Sequence, residues 1–404
     1  MSSTPTVHIP IHRPGTLIGG RYQVLQAPPR DPSTGLLPAR DRDTGRFIDS
    51  RTRRPLASEP DHNPHLAGGM GIVYHCANLT AGGRHVALKT FQPQFLSRPR
   101  IRGRFLREAA VWLELGPLPY VVTAYEALYL GDGREVYLVL EWIAPEAGLP
   151  DANLGTWLRA HAPRDYRTAL RLLLQLTWGM ADAVARIPGL IHRDLKPGNL
   201  LIGADGRLCI TDLGLAGMEA AMRAELAGDG AAVVAWLTDS GGGGTPGYMA
   251  PEQRDRGRVD GRADVYAFGV ILNEVLDHEG GAAPPGEARA LRKLAAGCRE
   301  TNPERRPRDW NEVQLALKAA CPWLGETGRL PAGQPDSRAR RHAEMTSLNA
   351  LGLGHRDVGE YPRAAELFTR GRTLARELGD RQGEASALGN LGNVYLGPIP
   401  KHLW

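Results

Sequence analysis

Apolar positions along the chain fall at alternate places in its first third and at helical spacing afterwards. Gly20 to Gln26 (GRYQVLQ) alternates and is rich in β-formers, which predicts a first strand. From Ala27 to His65 the pattern stops. Pro28, Pro29, Pro32, Pro38, Pro55, Pro60 and Pro64 are scattered there among Arg and Asp, which predicts a loop or disordered insert. Strands are predicted again at Ile72 to Asn78 and His85 to Thr90. A helix follows at Ile101 to Leu115, where Phe105, Ala109 and Trp112 share a face. Two more strands fit Val121 to Leu130 and Glu135 to Trp142. Beyond Pro150 the spacing is mainly helical, with long segments at Tyr166 to Arg186, Asp264 to Leu276, Glu287 to Cys298 and Trp310 to Ala320. The expectation is an α+β architecture: a strand-rich small lobe, then a helical large lobe.

Pro322 to Ser337 is rich in Gly and Pro and predicts a linker, placed at 325–340. After it, Leu348, Leu351 and Gly352 are echoed by Leu388, Leu391 and Gly392, with Tyr361, Ala364, Phe368 and Leu374 between them at helix-pair spacing. Segment 341–404 therefore resembles a tetratricopeptide repeat of lengthened period with the start of a second, a surface suited to a protein partner.

Composition narrows the function classes. An apolar fraction of 42% permits a large core, and 404 residues fit two or three domains. The net charge of +5 is slight, so no nucleic-acid role is expected. Cys76, Cys209, Cys298 and Cys321 form no C-x-x-C pair, which suits a reducing, cytoplasmic setting. Met1 to Pro10 lacks the basic and apolar run of a signal peptide, and no apolar run approaches a membrane span, so no membrane association is expected. His62 and His65 have no metal-binding partners nearby in sequence, and Arg40 to Arg46 reads as a solvated charged turn.

Five short motifs stand out. They are Gly68-Gly69-Met70-Gly71-Ile72-Val73; Val86-Ala87-Leu88-Lys89; Phe105-Leu106-Arg107-Glu108-Ala109; His192-Arg193-Asp194-Leu195-Lys196-Pro197-Gly198-Asn199; and Cys209-Ile210-Thr211-Asp212-Leu213-Gly214. Gly244 to Glu252 (GTPGYMAPE) and Asp264 to Gly269 (DVYAFG) follow in order. This set, in this order, resembles the Hanks-type serine/threonine protein kinases of the bacterial branch. The stretch His192 to Asn199 is the most specific part of the match.

The resemblance implies a bilobal kinase domain at 19–324, preceded by a tail at 1–18 and interrupted by the insert at 27–65. It implies transfer of the γ-phosphoryl group of ATP to protein hydroxyls, with Mg2+ (or Mn2+) as the metal. Asp194 would orient the acceptor hydroxyl, Lys196 would neutralise charge on the transferring group, and Asn199 and Asp212 would ligate the metal. Lys89 would grip the phosphates with Glu108 as its partner. Gly68, Gly69 and Gly71 would cover the phosphates. Val73, Ala87 and Leu201 would sandwich adenine, and the hinge Glu141-Trp142-Ile143, after the gatekeeper Leu140, would meet its edge through Glu141 and Ile143. Thr245 would lie near the substrate, Asp264 would brace the catalytic loop, and Glu252 would pair with Arg306.

The chain departs from the family where Leu66 stands in place of the first glycine and where Leu213 replaces the usual Phe. The first departure and the insert favour an alternative, a pseudokinase or scaffold; Lys89, Glu108, Asp194, Asn199 and Asp212 favour catalysis. Arg193 before Asp194 implies switching by phosphorylation between Gly214 and Gly244, where Thr238 and Ser240 are the hydroxyl side chains.

Overall fold

The computed structural model describes residues 12–26, 39–40, 47–48, 71–91, 99–130, 135–161, 166–213, 245–255, 259–278, 283–330, 337–357 and 359–395. The first lobe contains β1 (Leu17–Ile18), β2 (Tyr22–Gln26), β3 (Ala39–Arg40), β4 (Phe47–Ile48), β5 (Gly71–Asn78), β6 (Arg84–Phe91), helix α1 (Pro99–Leu115), β7 (Ala124–Leu130) and β8 (Glu135–Glu141). Six of these strands form one antiparallel sheet in the order β1-β2-β5-β6-β8-β7. Most of the 27–65 insert lies outside the described residues. Within it β3 pairs with β4 as a separate two-stranded ladder.

Period-two alternation assigns the two faces of the sheet. Ile72, Tyr74 and Cys76 of β5 join Val86, Leu88, Tyr137 and Val139 in one apolar cluster, closed by Ile18, Tyr22 and Val24. The opposite face contributes Ala87, Val136, Leu138 and Leu140 to the main core, with Phe105, Ala109 and Trp112 of α1 packed beneath. Trp112 Nε1 donates to the Val122 carbonyl at 2.8 Å, which satisfies its buried polar group.

The second lobe comprises α2 (Leu154–His161), α3 (Tyr166–Arg186), the hairpin β9 (Leu200–Ile202) and β10 (Leu208–Ile210), α4 (Pro251–Arg254), α5 (Arg262–His278), α6 (Pro285–Cys298) and α7 (Trp310–Ala320). α3 buries an apolar face around Leu170, Leu173, Leu174 and Met180. α5 and α6 cross at Gly269, where a Cβ would stand 2.6 Å from Cys298 Cβ and 2.9 Å from the Ala295 carbonyl. All four cysteines are free and buried, and burial pushes the thiols of Cys76, Cys209 and Cys298 up to about 12.

The last described elements are α8 (Ser337–Asp357), α9 (Tyr361–Leu378) and α10 (Arg381–Tyr395). Helix α8 starts at Ser337, inside the segment expected as linker. Gly352 of α8 faces the buried ring of Phe368, whose Cε1 would lie 2.6 Å from any Cβ, so these two helices approach at a glycine. α8 packs along α1, and Ala350 and Leu353 belong to the same core as the two lobes. Among the described residues no helix is long and apolar enough to cross a membrane.

Candidate active site

The polar residues predicted for chemistry converge where β9, β10 and the loop before them meet. His192 is fully buried, and its Nε2 sits 2.9 Å from the Thr211 carbonyl. Asp264, at the start of α5, accepts the backbone amides of His192 at 2.7 Å and Arg193 at 2.8 Å. Those bonds hold Arg193 at φ 68°, a conformation a bulky residue adopts only when its surroundings impose it. Burial pushes the Asp264 carboxyl up, and the two amides with the nearby His192 and Arg193 only partly oppose this. Gln253 Nε2 donates to the Arg193 carbonyl at 3.0 Å, tying α4 to the same strained turn.

Past that turn, Asp194 is the hub. Its Oδ2 accepts Lys196 Nζ at 2.8 Å and Asn199 Nδ2 at 3.1 Å. Its Oδ1 accepts both the amide and the hydroxyl of Thr245, each at 2.8 Å. Lys196 Nζ also donates to Thr245 Oγ1 at 2.7 Å. Asn199 gives a second Nδ2 bond to the Asp194 carbonyl at 2.8 Å. The amide oxygen of Asn199 therefore remains the acceptor end of that side chain.

Asp212 follows β10 with φ 63°. Its Oδ1 is 2.5 Å from Lys89 Nζ on β6. Burial alone would raise the Asp212 carboxyl; the charge and hydrogen bond of Lys89, helped by His192 and Lys196, outweigh it and hold the group below the ordinary carboxylate range. Lys89 was expected to pair with Glu108. Glu108 lies within α1, but its side chain is outside the described residues.

The apolar end is built from the sheet and residues 141–143 after β8. Ala87 is buried, paired with Leu140 across β6 and β8, and Val73 and Leu201 are half-buried against the same core. The amide of Glu141 donates to the Thr123 carbonyl at 2.8 Å. Its carboxylate is held by Arg207 Nη2 at 2.7 Å and the Thr123 amide at 3.2 Å. Ile143 is buried beside it. Trp142 stacks on His75 with ring centroids 3.8 Å apart. Gly71 opens β5, whereas Gly68, Gly69, Leu66, Thr238 and Ser240 lie outside the described residues. So do His62 and His65.

One ion pair braces the site from behind. Arg306, with a fully buried side chain, donates Nη1 to Glu252 Oε1 at 2.6 Å and Nη2 to Oε2 at 2.8 Å. A groove of about 800 Å3 lies elsewhere, lined by Glu114, Arg186, Leu348 and Leu367, and none of the residues named for catalysis borders it.

Residues 67–308 match the family described as the protein kinase domain. The chain belongs to that family. Among curated relatives, the kinase domain and its flanks are similar to the serine/threonine-protein kinase drp72 of Corynebacterium efficiens, with 30% identity over 80% of this chain and 60% of the relative. They are also similar to the serine/threonine-protein kinase PknA of Mycobacterium tuberculosis, with 34% identity over 52% of this chain and 44% of that protein. The chain thus spans about half the length of these relatives. A crystal structure of the Mycobacterium tuberculosis PknI kinase domain aligns with a TM-score of 0.48 and 18% identity, covering 77% of this chain and 99% of that one.

Within this kinase domain, sequence reasoning missed three contributors. Arg207 and Thr123 hold the Glu141 carboxylate, and Gln253 secures Arg193. Each acts through a contact distant in sequence with no motif of its own. Only Gln253, adjoining the Gly244 to Glu252 motif, carried a positional signal.

Proposed function

We propose that this chain is a serine/threonine protein kinase that transfers the γ-phosphoryl group of ATP to hydroxyls of protein substrates. The observation that carries the reading is the Asp194 hub. A carboxylate, an ammonium and a threonine hydroxyl lie within one hydrogen-bonded triangle, fixed from below by Asp264 and Arg193. Phosphoryl transfer asks for alignment and charge neutralisation more than for covalent help. An acceptor hydroxyl placed where Thr245 Oγ1 stands would hand its proton toward Asp194 while Lys196 balances the growing negative charge.

The donor set also suits a hard divalent cation. Asn199 offers an amide oxygen and Asp212 a carboxylate kept ionised by Lys89, and among the described residues no group of three or more His, Cys, Asp or Glu forms a self-sufficient metal cage. Mg2+ or Mn2+ held by those two residues together with nucleotide phosphates fits that pattern. Such a cation supplies charge neutralisation to the phosphates. Lys89 would orient the same phosphates, with Glu108 as a second partner. Gly68, Gly69 and Gly71 would cover them, and Val73, Ala87, Leu201, Glu141 and Ile143 would bind adenine. Regulation through Thr238 or Ser240, a cytoplasmic setting, and a tetratricopeptide-like role for the last three helices in partner binding belong to this proposal.

Purified chain incubated with γ-labelled ATP, with and without Mg2+, and a mixed protein substrate tests it. Label on serine and threonine, absent with the metal omitted, is expected. Label confined to tyrosine, or nucleotide bound without transfer, would replace the reading with a tyrosine-specific enzyme or a scaffold.

A further inference from the structure

Helix α1 is buried on more than the face that meets the sheet. Phe105, Ala109 and Trp112 pack into the first lobe, yet Leu106, Ala110 and Leu113, on a neighbouring stripe, are also at most 1% exposed. The element that runs along α1 is α8, from the far end of the chain. Ser347 Oγ donates to the Ala110 carbonyl at 3.0 Å, and Ser347 itself is buried. A buried hydroxyl is costly unless bonded, so this contact selects one register of α8 along α1.

A second anchor lies at the other end of α8. Tyr129 on β7 donates its hydroxyl to Asp357 Oδ2 at 2.8 Å and accepts Arg356 Nη2 at 2.8 Å. The chain just before α8 is tied to both lobes: Arg329 Nη2 is 2.5 Å from Asp182 Oδ1 on α3, and the Leu330 amide donates at 2.8 Å to Tyr120 Oη, between α1 and β7. The stretch from Arg329 to Asp357 therefore spans from α3 to both α1 and β7.

We propose that α8 is a positioning element for phosphoryl transfer. By holding α1 it fixes the helix packed beneath the strand that carries Lys89, and so the contact of Lys89 with Asp212. The proposal rests on the kinase reading above. Ser347 and Tyr129 act through α1 and β7; neither touches the reacting groups. Lys89 stands two residues beyond the buried Ala87, which shares a core with Phe105 and Ala109 of α1, and it holds Asp212 at 2.5 Å. A rigid α1 raises the fraction of molecules in which that arrangement is assembled.

The test uses the full chain with Ser347→Arg, which wedges the α1–α8 contact, and Tyr129→Phe, which removes the second anchor by one hydroxyl. Hydrogen exchange and steady-state transfer from ATP to a serine/threonine peptide are measured on both. Faster exchange is expected in Pro99–Leu115 together with Ser337–Asp357, with kcat/KM for ATP falling about tenfold in Ser347→Arg and less in Tyr129→Phe. Ser347→Thr, which keeps the hydroxyl, restores both readouts. Exchange that quickens in α8 alone, with α1 and kcat/KM for ATP unchanged, would overturn the proposal. If Ser347→Arg does not fold, Tyr129→Phe decides by the same criteria. A wild-type chain that transfers no phosphate would overturn the reading of the site, and the exchange comparison would still decide whether α8 holds α1.

Discussion

Thr245 and Asp194 are joined twice, through the backbone amide and the hydroxyl of Thr245, both at 2.8 Å from Oδ1. The same hydroxyl accepts Lys196 Nζ at 2.7 Å, so one threonine ties the segment around α4 to two chemical groups. Thr245→Val keeps the branched shape and the amide bond and removes both hydroxyl contacts. Turnover of a protein substrate should fall by about 10- to 100-fold, while the KM for ATP moves by less than about threefold. Kinetics with each substrate varied in turn check this; an equal loss on both would mean that Thr245 shapes the nucleotide end as well.

Lys89 is the counter-charge of Asp212. Lys89→Met strips that charge from a carboxylate whose affinity for protons it now lowers. Transfer should drop by about 10²-fold or more through lost positioning. In the folded wild-type chain the depressed Asp212 contributes stability above its ordinary value of 3.8, lost as the pH falls through the lower folded value. The variant should lose that contribution at neutral pH. Thermal melts at pH 7 and at low pH check it, with the gap between the two proteins narrowing in acid.

Arg306 has no solvent to turn to if Glu252 is removed. Glu252→Ala leaves a buried guanidinium without its bidentate partner and should destabilise the fold by about 3–5 kcal/mol. Urea unfolding measures this. A change under about 1 kcal/mol would mean that the carbonyls of Glu300, Arg262 and Thr301, which Arg306 also meets, suffice to satisfy it.

His75 is held neutral. Burial, with the neighbouring His85 adding to it, lowers its value from 6.5 to about 4. Between those values the unfolded chain binds the extra proton, so stability rises with pH across that window and is lost as acid is added. His75→Phe keeps a ring against Trp142 and cannot titrate. Its stability relative to wild type should improve steadily from pH 6.5 down to about pH 4. Parallel melts across that range check the slope; parallel curves would assign the acid sensitivity to other groups.

Much of the fold was legible because strongly periodic segments make their own structure. The helices predicted at Tyr166 to Arg186 and Trp310 to Ala320 have those same ends in the structure. α1 begins at Pro99, slightly before the predicted Ile101, since a proline suits the first turn of a helix. β7 begins at Ala124 rather than Val121. Val121 makes isolated bridges to Leu118 and Ile210, and Val122 bonds outside the ladder. The short helix Leu154–His161 escaped notice, being only eight residues after a loop. At the site, the motifs carried the residue types and the Glu252–Arg306 pair, but not the contacts of Arg207 with Glu141 or of Gln253 with Arg193. The Lys89–Asp212 contact spans both lobes, and α8 meets α1 through a buried serine within a helix whose apolar pattern names no partner.

In the proposed reaction Asp194 aligns the acceptor hydroxyl for transfer. Asp194→Asn replaces one carboxylate oxygen with an amide and preserves shape, so a folded protein with near-normal nucleotide binding is expected. Incorporation of label from γ-labelled ATP into protein, measured for wild type and variant side by side with Mg2+, is the deciding measurement for that role. Clear labelling by the wild type and a loss of about 10³-fold in the variant are expected. Equal labelling by the two proteins, or none by a folded, nucleotide-bound wild type, would contradict it.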